Sequence, residues 1–244
     1  MKKVIIIGAT SGIGRELAKL YAESGALVGA TGRRKDLLYT LQLEHPNNIL
    51  TGCFDVTSQE NIAQLELLIS KMNGVDLLLY NAGYGEPSDK LDWEIDKKTV
   101  NTNVNGFTTL VNYIFNYFEH QGHGHIAATS SIASIRGSSR APAYSASKAF
   151  MSTYMEGLHI KAKKMKFSGN PERKIVLTDI QPGFVRTKMA KGQGQFWVAP
   201  VEKAARQIFT ALEHKKWRVY ITHRWWLIAK LMHWMPDFIN TRIG

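Results

Sequence analysis

Four apolar residues, Val4-Ile5-Ile6-Ile7, run straight into Gly8-Ala9-Thr10-Ser11-Gly12-Ile13-Gly14, and a helical pattern begins at once. Three glycines at that point suit a strand that turns tightly into a helix packed close against its sheet. The turn leaves free N–H groups and the positive end of a helix dipole at its mouth, which favours a pyrophosphate. A merely flexible loop is the competing reading, and the flanking strand and helix weigh against it.

The rest of the chain repeats the alternation. After strand one (Val4–Ile7), Ile13–Glu23 carries Ile13, Leu17, Leu20 and Tyr21 on one helical face. Strands are predicted at Leu27–Thr31, Ile49–Phe54 and Val75–Tyr80, with helices over Arg34–Glu44 and through Ile62, Leu65 and Ile69 between them. A long, bent helical stretch is predicted from Trp93 to Phe118, then a strand at His125–Thr129, a helix at Ala143–Lys164 and a strand at Ile175–Ile180. A helix at Pro200–His214 and a seventh strand near Arg218–Thr222 follow. With no repeat and no composition break, residues 1–244 read as one doubly wound α/β domain of the Rossmann type, a seven-stranded parallel sheet with helices on both faces.

Chemistry-bearing residues cluster after the strands. Strand two ends in Thr31-Gly32-Arg33-Arg34, with no acid to accept the ribose hydroxyls of NAD. A guanidinium pairs well with phosphate, so Arg33 is the candidate for the 2′-phosphate of NADP, supported by Arg34. Tyr144 and Lys148 lie four residues apart on one helical face. A free tyrosine, with a pKa of about 10, exchanges protons poorly near neutrality. A neighbouring ammonium is expected to lower that pKa and make Tyr144 a general acid and base. Lys148 would also hydrogen-bond the nicotinamide ribose. Alone the pair is a common spacing, but Ser131 precedes Tyr144 by thirteen residues, just past strand five.

The Gly-x-x-x-Gly-x-Gly loop, Arg33, Ser131 and Tyr144-Ser145-Ala146-Ser147-Lys148 together resemble the short-chain dehydrogenase/reductase family. The resemblance covers nearly the whole chain and implies NADP(H)-linked interconversion of a carbonyl and an alcohol. It implies that Ser131 orients the substrate carbonyl, Ser130 being the alternative if a bulge shifts the register. It implies that Asn103 holds a proton-relay water, with Asn101 and Asn105 close by. Its cofactor site is matched by Gly8, Thr10, Ser11, Gly12, Ile13 and Gly14, by Asp55-Val56 at the adenine edge, and by Asn81-Ala82-Gly83. Pro182-Gly183-Phe184-Val185-Arg186-Thr187 matches the segment facing the nicotinamide, Thr187 bonding the carboxamide. Many NADP-dependent relatives carry a second basic residue just before the middle glycine. That residue is Ser11 here, which implies a softer preference. Lys188–Ala199 matches the substrate lid, with Gly192 and Gly194 for movement and Phe196 and Trp197 for an apolar face. A homodimer or homotetramer is the implied assembly.

Other features are weighed against this reading. The net charge of +11 favours anionic partners. The densest basic run, Lys161, Lys163, Lys164 and Lys166 followed by Arg173 and Lys174, lacks the interleaved aromatics of a base-stacking surface. It reads as a solvated helix end, so no nucleic-acid partner is expected. His120, His123 and His125 lack an acid or cysteine to complete a metal set, so no metal is expected. Cys53 reads as a buried structural thiol in strand three. The first residues leave no room for a signal peptide and no run reaches about eighteen apolar residues, so the cytoplasm is the expected compartment.

Trp217, Trp225, Trp226 and Trp234 crowd with Leu227, Ile228, Leu231, Met232 and Met235 near Arg218, Arg224 and Lys230. The terminal segment 223–244 is expected to cover the pocket or a subunit interface, with peripheral membrane contact as the alternative. A non-catalytic sensor of the NADPH/NADP ratio is the rival function, and it leaves Ser131, Tyr144 and Lys148 without a purpose.

Overall fold

Alternation along β1 (Lys3–Ile7) decides how the molecule is layered. Val4 and Ile6 enter one apolar cluster and Ile5 and Ile7 the other, so the strand is buried on both faces. The structure, a computed structural model, describes residues 1–167, 174–187 and 196–243. From β1 the chain passes through α1 (Gly12–Glu23), β2 (Leu27–Gly32), α2 (Lys35–Glu44), β3 (Ile49–Cys53), α3 (Asn61–Lys71) and β4 (Leu77–Tyr80). It continues through α4 (Trp93–Val100), a π-helical turn (Asn101–Gly106), α5 (Phe107–Gln121), β5 (His123–Thr129) and a 3₁₀ turn (Ile132–Ser134). Then come α6 (Pro142–Phe167), β6 (Lys174–Pro182), α7 (Val201–Glu213), β7 (Arg218–Ile221), α8 (Trp225–Trp234) and α9 (Asp237–Ile243).

The seven strands form one sheet in the order β3-β2-β1-β4-β5-β6-β7, and every pairing is parallel. Leu17 and Tyr21 of α1 and Ile208 and Leu212 of α7 pack on one face. Leu65 and Leu68 of α3, Phe107 and Leu110 of α5, and Met151 and Met155 of α6 pack on the other. The order reverses between β1 and β4, so the carboxyl ends of these strands open a crevice, where ligands of such sheets bind.

The expected elements form, with bounds shifted by a few residues. The helical stretch expected from Trp93 forms without a break, as α4, the π turn and α5, the π turn being the one feature that its pattern does not announce. Asp92 caps α4 by accepting from the N–H groups of Glu94 and Ile95 at 2.9 and 3.4 Å. The π turn then carries the chain past the loop after β3. A Cβ on Gly106 would stand 2.8 Å from the Val56 carbonyl oxygen, so only glycine fits there. Cys53 departs from expectation. It is exposed, because β3 is the sheet's edge strand and Cys53 its last residue. Residues 188–195, including Gly192 and Gly194 of the expected lid, lie outside the described residues, as does Arg173 of the basic run.

Candidate active site

The glycine loop is built against the segment after β4. Gly8 has φ +93°, and a Cβ there would lie 2.7 Å from the Ala82 nitrogen. A Cβ on Gly14 would lie 2.2 Å from the Gly8 carbonyl oxygen. Asn81 Nδ2 donates to that same carbonyl at 3.2 Å, while its Oδ1 accepts from the Thr129 hydroxyl at 3.1 Å. Asn81 thereby pins the loop to β5. Ser11 makes no side-chain cap on α1, and α1 has no acid in its first turn. Thr187 closes the other side, 3.3 Å from where a Cβ on Gly12 would stand.

Two guanidinium groups flank this loop and do different things. Arg34 Nη2 donates to the Thr10 hydroxyl at 2.5 Å and to the Ser11 hydroxyl at 2.9 Å. Arg33 Nη1 meets Asp55 Oδ2 at 3.0 Å and is otherwise exposed. Burial pushes the Asp55 carboxyl up. The Thr57 N–H and hydroxyl together with Arg33 outweigh that and hold it below the usual carboxylate range. Val56 turns its carbonyl to Asn61 Nδ2 at 2.7 Å, which anchors the start of α3.

The serine, tyrosine and lysine expected to handle the proton lie beyond β5. Ser131 caps the 3₁₀ turn, its hydroxyl accepting from the Ala133 N–H at 3.1 Å. That hydroxyl also reaches the Tyr144 phenol. Ser130 faces the other way, donating to Asp179 Oδ1 at 2.5 Å, so Ser131 is the serine brought to Tyr144. Lys148 is buried, with its ammonium 5.7 Å from the centre of the Tyr144 ring, and it donates to the Thr129 carbonyl at 2.8 Å. The expectation that the ammonium lowers the phenol's pKa is not met in this geometry. Burial pushes Tyr144 up, and the group opposing that shift is the Ser131 hydroxyl. Burial also pushes Lys148 down to about 8, against the pull of the Asp179 carboxylate.

Asn103 is fully buried in the π turn, and its amide is spoken for. Oδ1 accepts from the Tyr84 N–H at 2.8 Å, and Nδ2 donates to the Tyr84 carbonyl at 2.7 Å and to Ser147 Oγ at 2.9 Å. Its side chain therefore ties the segment after β4 to the helix bearing Tyr144. Gly183 accepts the close approach of another element: a Cβ there would lie 2.1 Å from the Trp225 ring. Trp225 packs edge-on to Phe184 and stands beside Phe196 and Trp197, at the described end of the lid segment. Val185 pairs with Ala199 where that segment returns.

A sequence model of short chain dehydrogenases matches residues 2–196. The chain belongs to the short-chain dehydrogenase family. Among relatives of this oxidoreductase is an uncharacterized oxidoreductase of Myxococcus xanthus, 34% identical over 194 residues, or 77% of this chain and 74% of that one. An NADP-dependent 3-hydroxy acid dehydrogenase of Salmonella typhi is 30% identical over 186 residues, covering 75% and 72%. The short chain dehydrogenase of Burkholderia cenocepacia solved in complex with NADP has the same fold, with a TM-score of 0.82 at 22% identity over 100% and 99% of the chains.

Several residues of this family member escape sequence reasoning. Gly85 presses on the Tyr144 ring, since a Cβ there would lie 2.2 Å from Tyr144 Cδ2. The repeated glycine of Gly83-Tyr84-Gly85 is the available signal for it. Asp179 is wholly buried and accepts from Ser130, from Ser152 at 2.7 Å, from Gln181 at 2.7 Å and from Arg218 at 3.1 Å. Its signal is an acid inside an apolar strand. Gly85→Ala is expected to displace the Tyr144 ring and to lower kcat by about tenfold, with a stability loss of about 1–3 kcal/mol. Steady-state rates and a melting curve of the same preparation check this, and an unchanged kcat would remove Gly85 from the site.

Proposed function

We propose that the protein is an NADP(H)-dependent oxidoreductase that interconverts a carbonyl compound and a secondary alcohol, with Tyr144 exchanging the proton. The observation that carries this reading is the convergence of Ser131, Tyr144 and Lys148, drawn from β5 and α6, beside the glycine loop of β1. The loop fits a dinucleotide. Its glycines back onto neighbouring main chain where a Cβ would collide, and the uncapped start of α1 carries no competing acid. The nicotinamide, when bound, supplies or accepts the hydride.

The chain's own groups do the remainder. Tyr144 protonates the developing alkoxide in reduction and takes the proton back in oxidation. Ser131 orients the carbonyl and stabilises charge on its oxygen. The ammonium of Lys148 keeps a donor beyond its contacts with the Thr129 carbonyl and Met151 Sδ, enough to hold the nicotinamide ribose. Asn103 acts through the Tyr84 clamp and Ser147. Thr187 would hold the carboxamide, and Asp55 with Val56 would border the adenine. The lid around 188–199 would bring Phe196 and Trp197 over an apolar substrate.

The preference for NADP(H) rests on two cations. Arg33 stands exposed at the end of β2 beside Asp55, and Arg34 lies against Ser11, the position where doubly basic relatives carry their second charge. The second cation is thus supplied from α2's edge, which argues for a firmer preference than Ser11 alone implies. A panel of carbonyls and alcohols, followed by nicotinamide absorbance with both cofactors, is expected to show turnover favouring NADPH. Arg33→Ala should reduce kcat/KM for NADPH by about tenfold or more, the value of a charge-assisted hydrogen bond, and leave NADH nearly unaffected. An unchanged preference would clear Arg33. NADPH binding without turnover across the panel would favour a sensor.

A further inference from the structure

The last two helices carry an apolar face that the described residues leave uncovered. At about 3.6 residues per turn, Trp225, Ile228, Ala229 and Met232 of α8 share one side. They pack with Ile132, Ile135 and Phe184 beside the active site. The opposite side is continuous: Trp226, Leu227, Lys230, Leu231 and Trp234. Leu227 and Leu231 are each 61% exposed and Trp234 is 86% exposed. α9 adds two more exposed apolar side chains, Phe238, 66% exposed, and Ile239. Its direction is set by the body of the protein, because Arg136 donates to the carbonyls of Met232 at 2.9 Å and Met235 at 2.5 Å.

The charge along α8 and the chain leading into it has one sign. From His214 to Pro236 the chain contains no aspartate or glutamate. Lys230 sits 4.2 Å from the Trp226 ring, and Arg224 sits 4.9 Å from the Trp197 ring. The nearest following acid, Asp237, faces Arg136 at 3.8 Å. An apolar face of this extent marks a contact surface, and tryptophans interleaved with basic residues suit the boundary of a bilayer.

We propose that α8 and α9 dock the protein on an anionic lipid surface, lying in the plane of the interface with Trp226, Leu227, Leu231, Trp234 and Phe238 inserted among the headgroups. The ten residues of α8 span about 15 Å, half the hydrocarbon thickness. Among the described residues no helix is long and apolar enough to cross a membrane. A second copy fits less well. A two-fold contact through this face would set Arg224 and Lys230 close to their own copies with no carboxylate between them, and the whole chain carries +11. An anionic surface turns the same charges into attraction, and lysine stems can lie along the apolar face while their heads reach lipid phosphates. The docking is independent of the hydride-transfer chemistry.

Sedimentation of the full-length protein with phosphatidylcholine vesicles, with and without phosphatidylglycerol, tests this. The expected result is binding to the phosphatidylglycerol vesicles about tenfold stronger than to the neutral ones, weakened by high salt. The double variant Leu231→Ser/Trp234→Ser should lose about tenfold of that binding while keeping its melting temperature and solution turnover, since both side chains are exposed. Should the double variant fail to fold, Lys230→Glu alone is expected to weaken binding to anionic vesicles and not to neutral ones. Wild-type protein that stays in the supernatant with both vesicle types overturns the proposal. So does equal binding by the folded variants. A wild-type dimer that becomes monomeric in the double variant, without lipid binding by either, would assign the face to a second copy instead.

Discussion

Tyr144→Phe is expected to lower kcat by about two to four orders of magnitude, the usual worth of a positioned general acid, while NADPH binding stays within about twofold. The substitution removes one oxygen from a ring held by its surroundings. Gly85 backs the ring, and α6 fixes its backbone through Ser147, which donates to the Tyr144 carbonyl at 2.8 Å and accepts from Asn103. The glycine loop, Arg33 and Arg34 do not depend on that oxygen, so cofactor affinity is spared. Ser131→Ala should cost less than the loss of the phenol, because the proton donor remains and only one stabilising hydroxyl is gone. Cofactor fluorescence titration and steady-state rates on the same protein separate binding from chemistry. Near-full turnover by the phenylalanine variant would take Tyr144 out of the mechanism, and a joint loss of binding and turnover would mean that the ring's place, not its proton, was at stake.

The frame of this site is legible in the sequence because its signals are local. A β-branched run before Gly8, Gly12 and Gly14 specifies the strand, the turn and the helix within a dozen residues, and the structure keeps all three. Tyr144 and Lys148 share a helical face by spacing alone. Their electrostatics were not legible, since the phenol's rise follows from burial by residues far away in the chain. The choice between Ser130 and Ser131 likewise waited on Asp179, forty-nine residues further on, which takes the Ser130 hydroxyl. Cys53 misleads because a strand pattern does not say which strand is the edge. The π turn at Asn101–Gly106 escapes because what surrounds it is non-local: Gly106 must clear Val56, and Asn103 must reach Tyr84. The terminal aromatic cluster announces a contact surface but not its division, which needs the helix phase that puts Trp225 inside and Trp234 outside.

Asp179→Asn is expected to move the alkaline limb of the pH–rate profile to lower pH by about one unit. The sign follows from two opposed influences on Lys148. Burial disfavours its ammonium and pushes the pKa down to about 8, while the Asp179 carboxylate favours the ammonium and resists that fall. Without the carboxylate the pKa drops further, so the charged form, proposed above to hold the ribose, is lost sooner as pH rises. The asparagine can keep much of the hydrogen bonding. Its oxygen can replace Oδ2, which accepts from Ser152, Gln181 and Arg218. Its amide can donate to Ser130, whose hydroxyl already lies 3.1 Å from the Ile180 carbonyl. What cannot be kept is the charge facing Arg218, whose remaining acidic partner is Glu156 at 3.1 Å, on the exposed side. A stability loss of about 2 kcal/mol is expected from weakening that charge-assisted bond, read as a lower melting temperature. A variant that melts earlier with its alkaline limb unmoved would make Asp179 a purely structural brace. A limb displaced towards lower pH, with kcat at the acid end nearly retained, would show that the buried carboxylate sets the working range of the lysine.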